Sequence, residues 1–84
     1  MSYEEILEKL KEILVQVLCI DLLDILPDSQ LINDLGADSL GMLKIIMAIE
    51  EEFDFEAEDG NFWDSITLEI TVDGLVKIIE KNLQ

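Results

Sequence analysis

The chain has no histidine and no arginine, one cysteine, one proline and four glycines in 84 residues, and its five lysines stand against 20 aspartates and glutamates. Each shortage removes a class of function. Without histidine there is no imidazole for a Ser-His-Asp arrangement or for acid–base relay. Cys19 stands alone, so a Cys/His zinc site and an intrachain disulfide are both excluded, and the chain fits a reducing compartment. Five cations against a net charge of −15 cannot build the basic face that nucleic-acid phosphates require, which points instead to basic protein partners. No uninterrupted apolar run approaches the ~18 residues of a membrane span. The start, Met1-Ser2-Tyr3-Glu4-Glu5, is acidic where a secretory signal is basic, so the expectation is a cytoplasmic protein.

What is present is a half-apolar composition in a length suited to one small domain spanning residues 1–84. Acidic disordered chains are poor in apolar residues, and this one is not. The charge is uneven. Residues 21–64 hold thirteen acids and one lysine, Lys44, while the two ends are nearly balanced. The middle carries the acidic field and the ends carry scaffold.

Three helices can be placed from caps and periodicity. Ser2 caps the first, with Glu4 and Glu5 in its opening turn, and Ile6, Leu10, Ile13, Leu14, Val17 and Leu18 form one stripe that ends near Cys19 or Ile20. Cys19 reads as a small apolar residue, buried or half-buried. Residues 21–37 have no sustained period. Pro27-Asp28-Ser29 and Asn33-Asp34 with Gly36 read as turns, and Leu26, Leu31, Ile32 and Leu35 as pegs that pin the segment to the helices. So long a connection in so small a domain is often functional.

The second helix starts at Asp38-Ser39 and runs to about Phe53. At ~100° per residue, Met42, Ile45, Ile46, Ile49 and Phe53 share one face, while Leu40, Leu43 and Met47 share the opposite one with Lys44 and Glu51. One stripe suffices for packing. The second is either buried in a compact bundle or an apolar docking surface rimmed by charge. Beyond an acidic stretch, 54–60, residues 61–66 read as a short helical turn carrying Phe62 and Trp63. Thr71 caps a last helix with Asp73 in its first turn and Val72, Leu75, Val76, Ile78, Ile79 and Leu83 as apolar positions. Alternation over 66–72 has no evident partner strand. The fold expected is all-α, a small four-helix bundle of three main helices and one short one, with a long first loop.

Chemistry of its own is hard to find. Asp54, Glu56 and Glu58 have the alternate spacing of a calcium loop, but Asp59 stands where the sharp turn needs Gly and Ser65 where a bidentate Glu belongs. The motif fails and no metal-ligand set is expected, which leaves the stretch as a solvated acidic surface or, at most, a place of loose divalent binding. Ser39 has no neighbouring base and no Gly-x-Ser-x-Gly context, so Asp38-Ser39 taken by spacing alone is a helix cap. The chain is not expected to be an enzyme.

The run Asp34-Leu35-Gly36-Ala37-Asp38-Ser39-Leu40, followed by Met47-Ala48-Ile49-Glu50-Glu51-Glu52-Phe53, resembles the stand-alone acyl carrier proteins of type II fatty-acid and polyketide synthesis, whose pattern is a Gly-x-Asp-Ser-Leu turn opening an acidic helix. The resemblance implies that Ser39 takes a 4′-phosphopantetheine arm from coenzyme A, transferred by a phosphopantetheinyl transferase, with Gly36, Asp38 and Leu40 around it. Acyl groups then ride as thioesters on the terminal thiol. Asp38 caps the helix, positions the transferase, or does both. The resemblance further implies that Leu40, Leu43, Met47, Glu50 and Glu51 meet the basic faces of acyl-transfer or synthase enzymes. By the same resemblance Met42, Ile45, Ile46, Ile49, Val72, Val76 and Ile79 either part to admit an acyl chain or are simply core. A monomer serving fatty-acid, polyketide or related lipid synthesis is implied. An aminoacyl or peptidyl carrier and an unmodified acidic helical adaptor are the alternatives. Gly41 and Lys44 stand where the family's fatty-acid carriers have acids, and the 54–70 segment is longer than usual, with Ala57-Glu58-Asp59 in place of an Ile-Pro-Asp-like turn. These departures favour a specialised carrier as much as a housekeeping one.

Overall fold

The computed structural model describes residues 1–54 and 66–83. Three α-helices are present among them: α1 (Tyr3–Leu18), α2 (Ser39–Phe53) and α3 (Val72–Asn82), with a 3-10 turn at Leu22–Asp24 between the first two. The short helical turn expected at 61–66 lies outside the described residues, apart from Ile66. The bundle is therefore three helices and a 3-10 turn as far as it is described.

Each helix begins where its cap dictates. The Glu5 amide donates to Ser2 Oγ at 3.3 Å and the Ser2 amide to the Glu5 carboxylate at 3.4 Å, a reciprocal capping box. The Ser2 amide and then the Ser2 hydroxyl, which donates to the same carboxylate at 3.1 Å, hold the Glu5 carboxyl below its ordinary pKa. The Gly41 amide donates to Asp38 Oδ1 at 2.7 Å to open α2, and the Gly74 amide donates to Thr71 Oγ1 at 3.0 Å to open α3. α1 ends at Leu18 because Cys19 takes the left-handed conformation, φ 55°, and Asp54 ends α2 in the same way. Cys19 is exposed, contrary to expectation. A left-handed cap turns the chain away from the helix, and its thiol only grazes the Gln16 carbonyl at 3.9 Å.

Ile6, Leu10 and Leu14 of α1, Ile45, Ile46 and Ile49 of α2, and Val72, Leu75, Val76 and Ile79 of α3 form one core. α1 packs along both other helices. Its polar flank is tied at two points. Lys9 Nζ reaches Glu52 of α2 at 2.9 Å, and the Tyr3 hydroxyl donates to Asp73 of α3, which also receives Lys77 at 3.2 Å.

The connection between α1 and α2 is not loose. Gln30 and Thr71 form an isolated antiparallel bridge. The Leu31 amide donates to the Ile70 carbonyl, the Val72 amide to Ser29, and the Asp73 amide to Pro27, at 2.8–3.0 Å. These bonds supply the partner that the alternating 66–72 stretch lacked in sequence. They also set which side chains turn inward. Leu31 and Leu35 are buried and Ile32 partly so, but Leu26 is exposed and Ile25 takes the inward place. Ser29 explains the reversal: its amide donates to the Leu26 carbonyl and its hydroxyl accepts from the Leu26 amide at 3.1 Å, so the turn is closed by a buried serine and Leu26 rides on its outside.

Candidate functional site

The turn that delivers the chain into α2 is built from three small residues and a cap. Gly36 has φ +79°, a left-handed backbone that an L side chain adopts at a cost of about 1 kcal/mol or more, and an added Cβ there would meet nothing within 4 Å. The glycine is thus required by conformation and leaves open space beside the turn. Ala37 is buried, and its amide donates to the Leu31 carbonyl at 2.9 Å, which fixes the turn to the long connection. Asp38 then caps, and Ser39 follows as the first helical residue, exposed to solvent.

An exposed hydroxyl at that position has useful surroundings. The first amides of a helix have no intrahelical acceptor and form the positive end of its dipole. The Asp38 carboxylate engages only the Gly41 amide, and the amides of Ser39 and Leu40 have no acceptor among the described residues. A phosphodiester on the Ser39 oxygen would meet those donors.

Beside Ser39 lies a cavity of about 600 Å³. Ala37, Asp38, Ser39, Met42 and Ile46 line it from the turn and α2, Ile32 from the long connection, and Ile66, Thr67 and Leu68 from the segment before α3. Its walls are mostly apolar carbon, with the serine and the cap among them. Of the seven residues named as an acyl lining, Met42 and Ile46 reach this cavity. Ile45, Ile49, Val72, Val76 and Ile79 are sealed in the core. Ile32, Ile66, Thr67 and Leu68 were not anticipated. Ile32 reads in sequence only as an apolar peg, and the alternation at Ile66, Leu68 and Ile70 is the one sequence signal for the segment before α3.

The outward face of α2 is uncovered by any described element. Leu40, Leu43 and Met47 are 59%, 45% and 58% exposed, and Lys44 and Glu51 are exposed among them. Glu50 is half-buried at the edge of this face. Among the described residues no group of three or more Asp, Glu or Cys side chains gathers as a metal site. No helix among them is long and apolar enough to cross a membrane.

A family profile described as the phosphopantetheine attachment site matches residues 8–74, most of the chain. The chain belongs to this family of carrier domains. The group carried at such a site is 4′-phosphopantetheine on a serine. The turn at Gly36–Ser39 fits that group: open space at the glycine, an exposed hydroxyl, and two amides with no acceptor among the described residues. Carrier domains of this kind are generally non-catalytic, and membership entails contact with a phosphopantetheinyl transferase and with the enzymes served by the arm.

Proposed function

We propose that Ser39 carries the arm and that the protein, one carrier domain over residues 1–84, shuttles acyl thioesters between enzymes without catalysing their reactions. The observation that supports this best is an exposed serine hydroxyl at the first turn of α2 beside a largely apolar cavity of about 600 Å³. Ser29, the other described serine within the matched span, is buried with its hydroxyl engaged by the Leu26 amide. The transferase brings the base and metal ion needed to activate the hydroxyl, so the carrier's lack of histidine is no obstacle. In the attachment step the serine oxygen attacks the β-phosphorus of coenzyme A, the pyrophosphate bond breaks, and 3′,5′-adenosine diphosphate leaves as the hydroxyl proton passes to the transferase.

The apolar cavity favours acyl cargo over aminoacyl or peptidyl cargo, whose amines and amides would need hydrogen-bond partners there. Fatty-acid, polyketide or related lipid synthesis in the cytoplasm is the setting we infer, with the protein acting as a monomer. Leu40, Leu43 and Met47 supply the apolar part of enzyme contact, and Glu50 and Glu51 meet basic residues at its rim, a combination suited to brief encounters. The test is incubation with coenzyme A and a broad-specificity transferase, followed by intact mass. Wild type gains one phosphopantetheine and Ser39→Ala gains none. Absence of a gain on wild type would leave an unmodified acidic adaptor as the function. Mass spectrometry of the protein purified from its source then identifies the cargo.

A further inference from the structure

Lys44 is the one cation in residues 21–64, and it lies on the exposed face of the very helix that begins with Ser39. It makes no ion pair among the described residues. At ~100° per residue it lies within about 40° of Leu40 and about 20° of Glu51, at the edge of the uncovered stripe opposite Leu43. The first turn of α2 holds no acid. The carboxylates of the helix, Glu50, Glu51 and Glu52, begin only about 9 Å beyond Lys44 along the axis, at ~1.5 Å per residue. Glu52 is turned to Lys9 of α1. Along α2 the charges therefore run from the exposed Asp38 cap beside the serine, through Lys44, to the glutamates at the far end, with Lys44 the one positive charge between two negative ones.

We infer that Lys44 is a specificity-determining contact: it selects partner enzymes that present a carboxylate beside the entrance for the arm and basic groups about one and a half to two turns of α2 farther on. The inference rests on Ser39 as the attachment point. Any enzyme acting on Ser39, or drawing the arm into its active site, must cover the first turns of α2. Lys44 lies only about 7.5 Å along the axis from that serine, at ~1.5 Å per residue. A uniformly basic docking face brings a like charge against Lys44 as the interface loses water, and like-charge juxtaposition is how wrong partners are rejected. A carboxylate opposite Lys44 converts the same position into an attractive rim contact, while Glu51 still draws basic groups at the distal end. Partners are thereby sorted by the order of charges along the helix, which total acidity alone would not achieve.

The experiment uses a phosphopantetheinyl transferase with a basic docking face as the probe, since it must approach Ser39. Its kcat/KM is measured on wild type, Lys44→Glu and Lys44→Met at low and at physiological salt. The same three proteins are tested against transferase variants in which each docking-face Lys or Arg is singly changed to Glu. Lys44→Glu is expected to raise kcat/KM about three- to tenfold at low salt, Lys44→Met less, with the gain shrinking as salt screens the contact. One transferase reversal is expected to invert the preference, so that wild type outruns Lys44→Glu. All three proteins should melt alike, because Lys44 is exposed. Equal rates for the three at low salt, or the same change for Glu and Met whatever the transferase carries, overturns the inference. If wild type gains the arm and Lys44 proves blind to charge, only this inference falls; if wild type gains no arm, the attachment reading falls first and takes this one with it.

Discussion

Ile45, Ile46, Ile49 and Phe53 on one face of α2 and Leu40, Leu43 and Met47 on the other come from the same 15-residue helix, yet the first four are buried and the last three stand in water. Both faces carry large apolar side chains, the outer one with Lys44 and Glu51 among them. What separates them is that α1 packs on one face and no described element covers the other. Hydrophobicity makes burial favourable; only an available neighbour makes it happen. A helix with apolar residues on both sides and packing on one side carries its fold on the first and keeps the second for contact with other molecules.

Substitutions that treat the two faces alike test this division most directly. Ile49→Ala removes a fully buried side chain and is expected to destabilise the fold by about 2–5 kcal/mol in urea or thermal unfolding. Asp38→Ala acts at the seam, where it leaves the Gly41 amide without its acceptor, and should cost about 1 kcal/mol. Met47→Ala, on the open face, should stay within about 0.5 kcal/mol of wild type while lowering the transferase's kcat/KM. A stability loss at Met47 as large as that at Ile49 would mean that the outer face is covered, and the division would break. Glu51→Lys should likewise leave melting unchanged and slow association with a basic-faced enzyme, most of all at low salt.

The smallest effect belongs to the contact between the starts of α1 and α3, and it serves as the control. The Tyr3 hydroxyl and then Lys77 hold the Asp73 carboxyl below its ordinary pKa, and the Asp73 acceptor raises the Tyr3 phenol above its own. A depressed carboxyl binds protons more readily in the unfolded chain. Its contribution is therefore present near neutrality and is lost as pH falls below about 4. The raised phenol works in the opposite direction: its contribution is present below about pH 10 and is lost as pH climbs beyond. Tyr3→Phe should flatten both limbs of the melting temperature against pH and leave the rate of modification at Ser39 untouched.

Much of this architecture is legible in the sequence itself. Ser2, Asp38 and Thr71 announce helix starts through local chemistry, and each accepts the amide that its type predicts. The buried stripe of α2 follows from the helical period. The open stripe could be drawn but not classified, since burial depends on what lies opposite. Residues 19–37 were harder for the same reason. Whether Ile25 or Leu26 turns inward is decided by Ser29 and by bonds to residues about forty positions away, and no local period encodes that. At the site, Gly36 through Ser39 was legible as a short motif, whereas Ile32, Ile66, Thr67 and Leu68 reach the cavity only through the pairing of Gln30 with Thr71.

The exposure of Cys19 bears on how such a protein is handled. The phosphopantetheine arm ends in a thiol, so the loaded but unacylated carrier displays two sulfhydryls to a reagent where the unmodified chain displays one. A maleimide or disulfide reagent chosen to report arm occupancy would register both, and acylation would silence only the one on the arm. Replacing Cys19 with serine, at a solvent-facing cap where no packing is lost, would make the thiol count a direct reading of the cargo.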